Sequence, residues 1–117
     1  MLRYFVAGVV ALAALLIAVP APVASAATLP ELLPPGKGLG LALENCSSCH
    51  SVVCAVKGQR TKDRWGSLKK DHKDKVANLS DAELDTLFAY LADNFNDTKP
   101  EPKLPPALAE LGSCTPF

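Results

Sequence analysis

Cys46-Ser47-Ser48-Cys49-His50 places two thiols and an imidazole on one short turn of chain. Thiols separated by two residues can each add to a vinyl group of the same haem, and the adjacent imidazole then lies beneath the iron as its proximal ligand. The stretch therefore reads as an attachment site for one covalently bound haem c, held by Cys46 and Cys49 and ligated by His50. A group fixed in this way cannot dissociate, so a small polypeptide can hold it.

The same Cys-x-x-Cys spacing also occurs in zinc sites and in thioredoxin-like redox proteins. A zinc site calls for further ligands at suitable spacing, and outside the pentapeptide only Cys54, His72 and Cys114 remain among the cysteines and histidines. A thioredoxin-like motif follows a strand in a βαβ unit, and no such pattern surrounds Cys46. The histidine at position 50 favours haem.

Upstream, a single positive charge at Arg3 precedes an apolar run over residues 5–19, which Pro20 and Pro22 interrupt. Ala24-Ser25-Ala26 then supplies a small-x-small cleavage site. Residues 1–26 are expected to be a secretory signal peptide, leaving about ninety residues in the periplasm and none inserted in the membrane. A retained anchor is the other reading, since the run is only slightly shorter than a spanning helix. Export places the rest of the chain where disulfides persist.

About ninety residues make one domain, small for a self-sufficient core. The formal net charge is zero, yet its distribution is uneven. Residues 57–75 hold Lys57, Arg60, Lys62, Arg64, Lys69, Lys70, Lys73 and Lys75 against three aspartates. Residues 81–97 hold Asp81, Glu83, Asp85, Asp93 and Asp97 with no basic residue. Such asymmetry either steers the molecule onto a charged partner or belongs to two solvated helix faces. With no net positive charge, nucleic acid is not an expected partner.

The pattern predicts an all-α chain. Residues 27–36 form an extended, proline-rich lead-in, and a domain over residues 37–97 precedes a proline-rich tail, residues 98–117. Leu39, Ala42, Leu43 and Cys46 recur at helical spacing, which predicts a helix over residues 37–45 running into the pentapeptide. Residues 51–61 are expected to be a loop. A charged helix over residues 62–75 carries Trp65, Leu68 and His72 on one face. Ser80-Asp81-Ala82-Glu83 is a capping-box signature, and Leu84, Leu87, Phe88, Leu91 and Phe95 continue it as one apolar stripe. That helix is expected to end at residues 94–96, with a short turn at residues 107–111 in the tail.

Helix, Cys-x-x-Cys-His, loop, helix and a capped last helix carrying Ala89-Tyr90-Leu91 together resemble the class I cytochrome c family, from Gly38 to about Phe95. The resemblance implies a small helical domain wrapped around one haem. It also implies that the first helix crosses the last at Gly38 and at Leu87, Tyr90 and Leu91. Ala42 stands where the family has an aromatic, so the crossing is expected to be packed differently. The family completes iron coordination with a methionine before the last helix, whereas this chain holds only Met1.

His72 lies eight residues before Ser80, where that ligand is expected, and two helical turns after Trp65. A W-x6-M arrangement resembles small haem subunits of sulfite dehydrogenases, with His72 in the methionine's place. His72 is thus the first candidate for the sixth ligand, giving His/His ligation; the Cys114 thiolate and an open site remain alternatives, and Cys54, four residues after His50 and so close to the proximal side, is the weakest candidate. Cys54 and Cys114 are the cysteines not consumed by haem, which is the arithmetic of one disulfide. Trp65 either packs on the haem edge, offering its indole N–H to a propionate, or fills the core between the second and third helices. Gln59, Arg60 and Arg64 are weaker candidates for neutralising propionates.

The expected function is single-electron transfer between a periplasmic dehydrogenase and a downstream acceptor, without catalysis by this chain. The resemblance suggests a molybdenum enzyme such as one for sulfite as donor, with this chain as its haem subunit or as a soluble carrier. The alternative is a gas-binding or sensing haem protein with an open or labile sixth site.

Overall fold

A computed structural model of the chain describes residues 27–110 and Cys114. The expected signal peptide, residues 1–26, lies outside the described residues, as do residues 111–113 and 115–117. Among the described residues six helices follow in order: α1 Leu29–Leu32, α2 Lys37–Asn45, α3 Val53–Val56, α4 Lys62–His72, α5 Asp81–Asn94 and α6 Pro106–Ala109. Among the described residues there is no strand, only an isolated parallel bridge between Arg60 and Asn96. No helix among them is long and apolar enough to cross a membrane.

The centre of the fold is α5. At its start the Ser80 hydroxyl accepts from the Glu83 amide, while Glu83 Oε2 accepts from the Ser80 backbone N–H at 2.8 Å. Two amides that the helix cannot satisfy are thereby paired. All five residues of the expected stripe, Leu84, Leu87, Phe88, Leu91 and Phe95, are buried. These hydrogen bonds to Ser80 hold the Glu83 carboxyl below the usual carboxylate range. A group depressed on folding contributes stability above its unfolded pKa of about 4.3 and loses that contribution as pH falls through the lower folded value. Acid titration followed by circular dichroism should therefore show Glu83→Gln losing less helix than the native chain as pH falls from about 5 to about 2. Identical acid transitions would remove the cap from the explanation.

The helix α5 packs against both α2 and α4. It lies tight against α2 at Gly38, where an added Cβ would overlap Tyr90 Cβ and stand 2.8 Å from the Thr86 carbonyl oxygen. Backbone and a Cβ cannot swing aside, so a side chain there forces the helices apart. Gly40, on the same helix, has open space at its Cβ position. Helical Gly→Ala changes normally stabilise by about 0.5–1 kcal/mol. Gly40→Ala should gain about that amount, and Gly38→Ala should instead lose about 1–3 kcal/mol to overpacking. Denaturant unfolding of the two variants measures the opposite signs, and two gains would refute the close crossing.

Ion pairs sew α4 to α5. Lys62 meets Asp93 at 3.5 Å, Lys69 meets Asp85, and Lys73 meets Asp81 at 3.0 Å. As the lysine number rises the aspartate number falls, which is the signature of antiparallel helices. The blocks of opposite charge read from the sequence thus face one another along an exposed seam, where each pair contributes between zero and about 1 kcal/mol.

Two segments are more ordered than expected. The lead-in contains the single turn α1, on which Thr28 N and Oγ1 donate to Glu31 Oε2 at 2.7 and 2.9 Å. The loop over residues 51–61 contains α3, whose turn buries Val52, Val53 and Val56. Conversely, α4 ends at His72, and residues 73–79 continue as turns.

Candidate functional site

Cys46 caps the C-terminus of α2, its amide donating to the Ala42 carbonyl at 3.0 Å. The chain then turns through Ser47 and Ser48, whose hydroxyls donate to the carbonyls of Leu43 and Asn45. These bonds tighten the turn and satisfy helix-end acceptors. Cys46 is half-buried against the core, and burial pushes its thiol up to about 11. Cys49 is exposed, and His50 is half-buried with Nδ1 3.1 Å from the Ser51 carbonyl oxygen.

The sulfurs separate into two sets. Cys54 and Cys114 are joined in a disulfide, with Cα atoms 5.4 Å apart across 60 residues of sequence. Cys46 and Cys49 both remain thiols.

His72 occupies the last turn of α4, half-buried, with its ring 5.9 Å from the Phe88 ring centroid. Its Nδ1 lies 2.8 Å from the Leu68 carbonyl oxygen. As donor to that carbonyl, Nδ1 carries the hydrogen and leaves the lone pair of the neutral ring on Nε2. Metal-ligating imidazoles are oriented by a bond of this kind from the other ring nitrogen.

Residues 73–79 return the chain towards α2. Asn78 Nδ2 donates to Asn45 Oδ1 at 2.8 Å, so this segment touches the residue immediately before Cys46. Val76 and Leu79 pack against the core, as do half-buried Leu39, Leu43, Leu68 and Cys46. Two thiols and an imidazole on one turn are the donor set that a covalently held haem would use. Among the described residues no three His, Cys, Asp or Glu side chains gather into a metal-binding cluster. The surface depressions along the α4–α5 seam are lined by Lys69, Lys73, Asp85 and neighbours, and none of the pentapeptide contributes to them.

Of the two roles open to Trp65, the structure displays the core one. The residue is 3% exposed, its ring meets Phe88 edge-on, and its indole N–H donates to the Phe95 carbonyl at 3.1 Å. That N–H is engaged within the chain. Arg60 is likewise committed: Nη1 and Nη2 donate to the carbonyls of Ala55, Lys57 and Cys54, and the guanidinium lies 5.0 Å from the Trp65 ring centroid. Gln59 Nε2 donates to the Pro100 carbonyl. Arg64 stays exposed. Sequence reasoning missed Asn45 and Asn78, because an asparagine at a helix end and an exposed one in a turn are both ordinary and give no local signal.

Comparison with protein families, curated proteins and solved structures gives no match.

Proposed function

We propose that the chain is an exported monohaem c-type cytochrome that carries single electrons between a periplasmic dehydrogenase and a downstream acceptor. The observation that carries this reading is the Cys46-Ser47-Ser48-Cys49-His50 turn with both thiols left unpaired while Cys54 and Cys114 bond to each other. Cys46 and Cys49 would hold the porphyrin by thioether bonds, with His50 and His72 as iron ligands. When bound, the group supplies a one-electron ferric/ferrous couple.

The chain's own residues do the rest. Leu68 fixes the His72 ring through its carbonyl, and Phe88 backs that ring. The apolar side chains of Leu39, Leu43, Val76 and Leu79 would exclude water. Exposed Ser47, Ser48 and Cys49 leave the attachment turn accessible to a partner protein. The resemblance to haem subunits of sulfite dehydrogenases suggests a molybdenum dehydrogenase as that partner.

Expression in a host with cytochrome c maturation machinery tests the reading. The denatured protein should retain a Soret band and exceed the bare polypeptide by the mass of one haem. Cys46→Ala with Cys49→Ala should abolish both. A polypeptide of bare mass lacking a Soret band overturns the proposal.

A further inference from the structure

We infer that Asn45 and Asn78 form a clasp that holds the segment after His72 against the attachment turn, and so keeps His72 on the iron; this rests on the function proposed above. The Asn45 side chain is already fixed in place, because its Nδ2 donates to the Leu41 carbonyl at 2.9 Å, which aims Oδ1 away from α2. Asn78 Nδ2 donates to that oxygen across 33 residues of sequence. Behind Asn78 the backbone is folded back on His72. The amides of Lys75 and Val76 donate to the His72 carbonyl at 2.9 and 3.1 Å, and the Leu79 amide donates to Val76 at 2.9 Å. Hydrogen bonds, together with the peptide link from Asn78 to Leu79, therefore connect the residue before Cys46 to the backbone of His72. Both α2 and α4 pack on α5, and the clasp adds a direct tie between α2 and the chain leaving α4. Asn45 and Asn78 are positioning residues; neither is placed on the haem.

The polarity of the bond provides the test. Asn78 donates, so Asn78→Asp sets two oxygens against each other and Asn78→Ala removes the donor. Two readouts follow in the full-length holoprotein: the rate at which carbon monoxide displaces the sixth ligand of the ferrous form, and hydrogen exchange at the amides of Val76 and Leu79. Loss of one hydrogen bond shifts an opening equilibrium by about two- to tenfold. Asn78→Ala and Asn78→Asp should accelerate both by that factor. Asn45→Ala combined with Asn78→Ala should be no faster than Asn45→Ala alone, since Asn45→Ala already removes the shared bond together with the bond to Leu41. Native rates in the Asn78 variants, or effects that add in the pair, overturn the clasp, as does a lowered melting temperature with both rates unchanged. His72→Ala separates this from the reading beneath it: if that variant keeps its low-spin spectrum, the assignment of His72 has failed and the ligand-holding role falls with it, even where the exchange rates respond.

Discussion

Replacing Cys114 with serine should lower the stability of the chain by about 2–4 kcal/mol, equivalent to about 10–30 °C in melting temperature for a domain this small. In the chain-entropy account, the bond between Cys54 and Cys114 closes a loop of 60 residues, and its removal frees the unfolded chain by about 4 kcal/mol. The native state also loses a tether, because the bonded half-cystine at Cys54 lies in α3, between the buried Val53 and Val56. The Cys54 carbonyl accepts from Arg60, whose guanidinium rests on Trp65. The bond therefore anchors the proline-rich tail to the loop that follows His50. Cys54→Ser, Cys114→Ser and the double variant should melt together, since one bond is lost in each, and reductant should shift only the native protein. Alkylation of the unreduced native chain by two equivalents of reagent at these positions would show that the bond does not form.

The parts of this architecture that the sequence displays most clearly are those specified locally. Ser80 and Glu83 announce the start of α5 by their spacing, and the apolar stripe from Leu84 to Phe95 maps onto its buried face. Thr28 and Glu31 make the same side-chain contact around α1, yet the surrounding prolines direct attention to extended chain. Pro30 is tolerated because the first helical turn needs no amide from it. The helix α3 is a single turn, too short for periodicity to register, and its burial depends on what covers Val52, Val53 and Val56.

Charge and polar roles depend on convergence, which local pattern does not contain. The lysine block and the aspartate block are visible as composition, but their pairing across the α4–α5 seam follows only from the antiparallel packing of those helices. Arg60 reads as a surface cation in a basic run. Three carbonyls at the end of α3 make it instead a cap, and the Trp65 face beneath it completes the site. The Trp65 indole N–H follows the same logic, because the Phe95 carbonyl that receives it comes from the far end of α5. The proposed site divides in the same way. Cys46, Cys49 and His50 are contiguous and legible, whereas the place of His72 depends on where α4 ends and how residues 73–79 return to α2.

In the cytochrome proposed above, changing His72 to alanine should convert a low-spin, six-coordinate haem into a high-spin one that binds carbon monoxide readily. The mature polypeptide expected from the sequence has no methionine, since Met1 falls within residues 1–26, so a thioether cannot fill the site. His72 has the attributes of a ligand held ready: Nδ1 is engaged by the Leu68 carbonyl, Phe88 backs the ring, and the half-buried position ends a helix that α5 braces. An imidazole donates more strongly to ferric iron than a thioether does, so the native protein should titrate at a lower potential than His/Met cytochromes. His72→Met should raise that potential while keeping the spectrum low-spin, because the replacement reaches from the same turn of α4. The pair of substitutions separates ligand loss from ligand exchange: alanine opens the iron, methionine retunes it. A native potential as high as that of His/Met proteins, or a His72→Ala protein that remains low-spin, would assign the sixth position to another group and restore the Cys114 thiolate to consideration only if the disulfide to Cys54 were also absent.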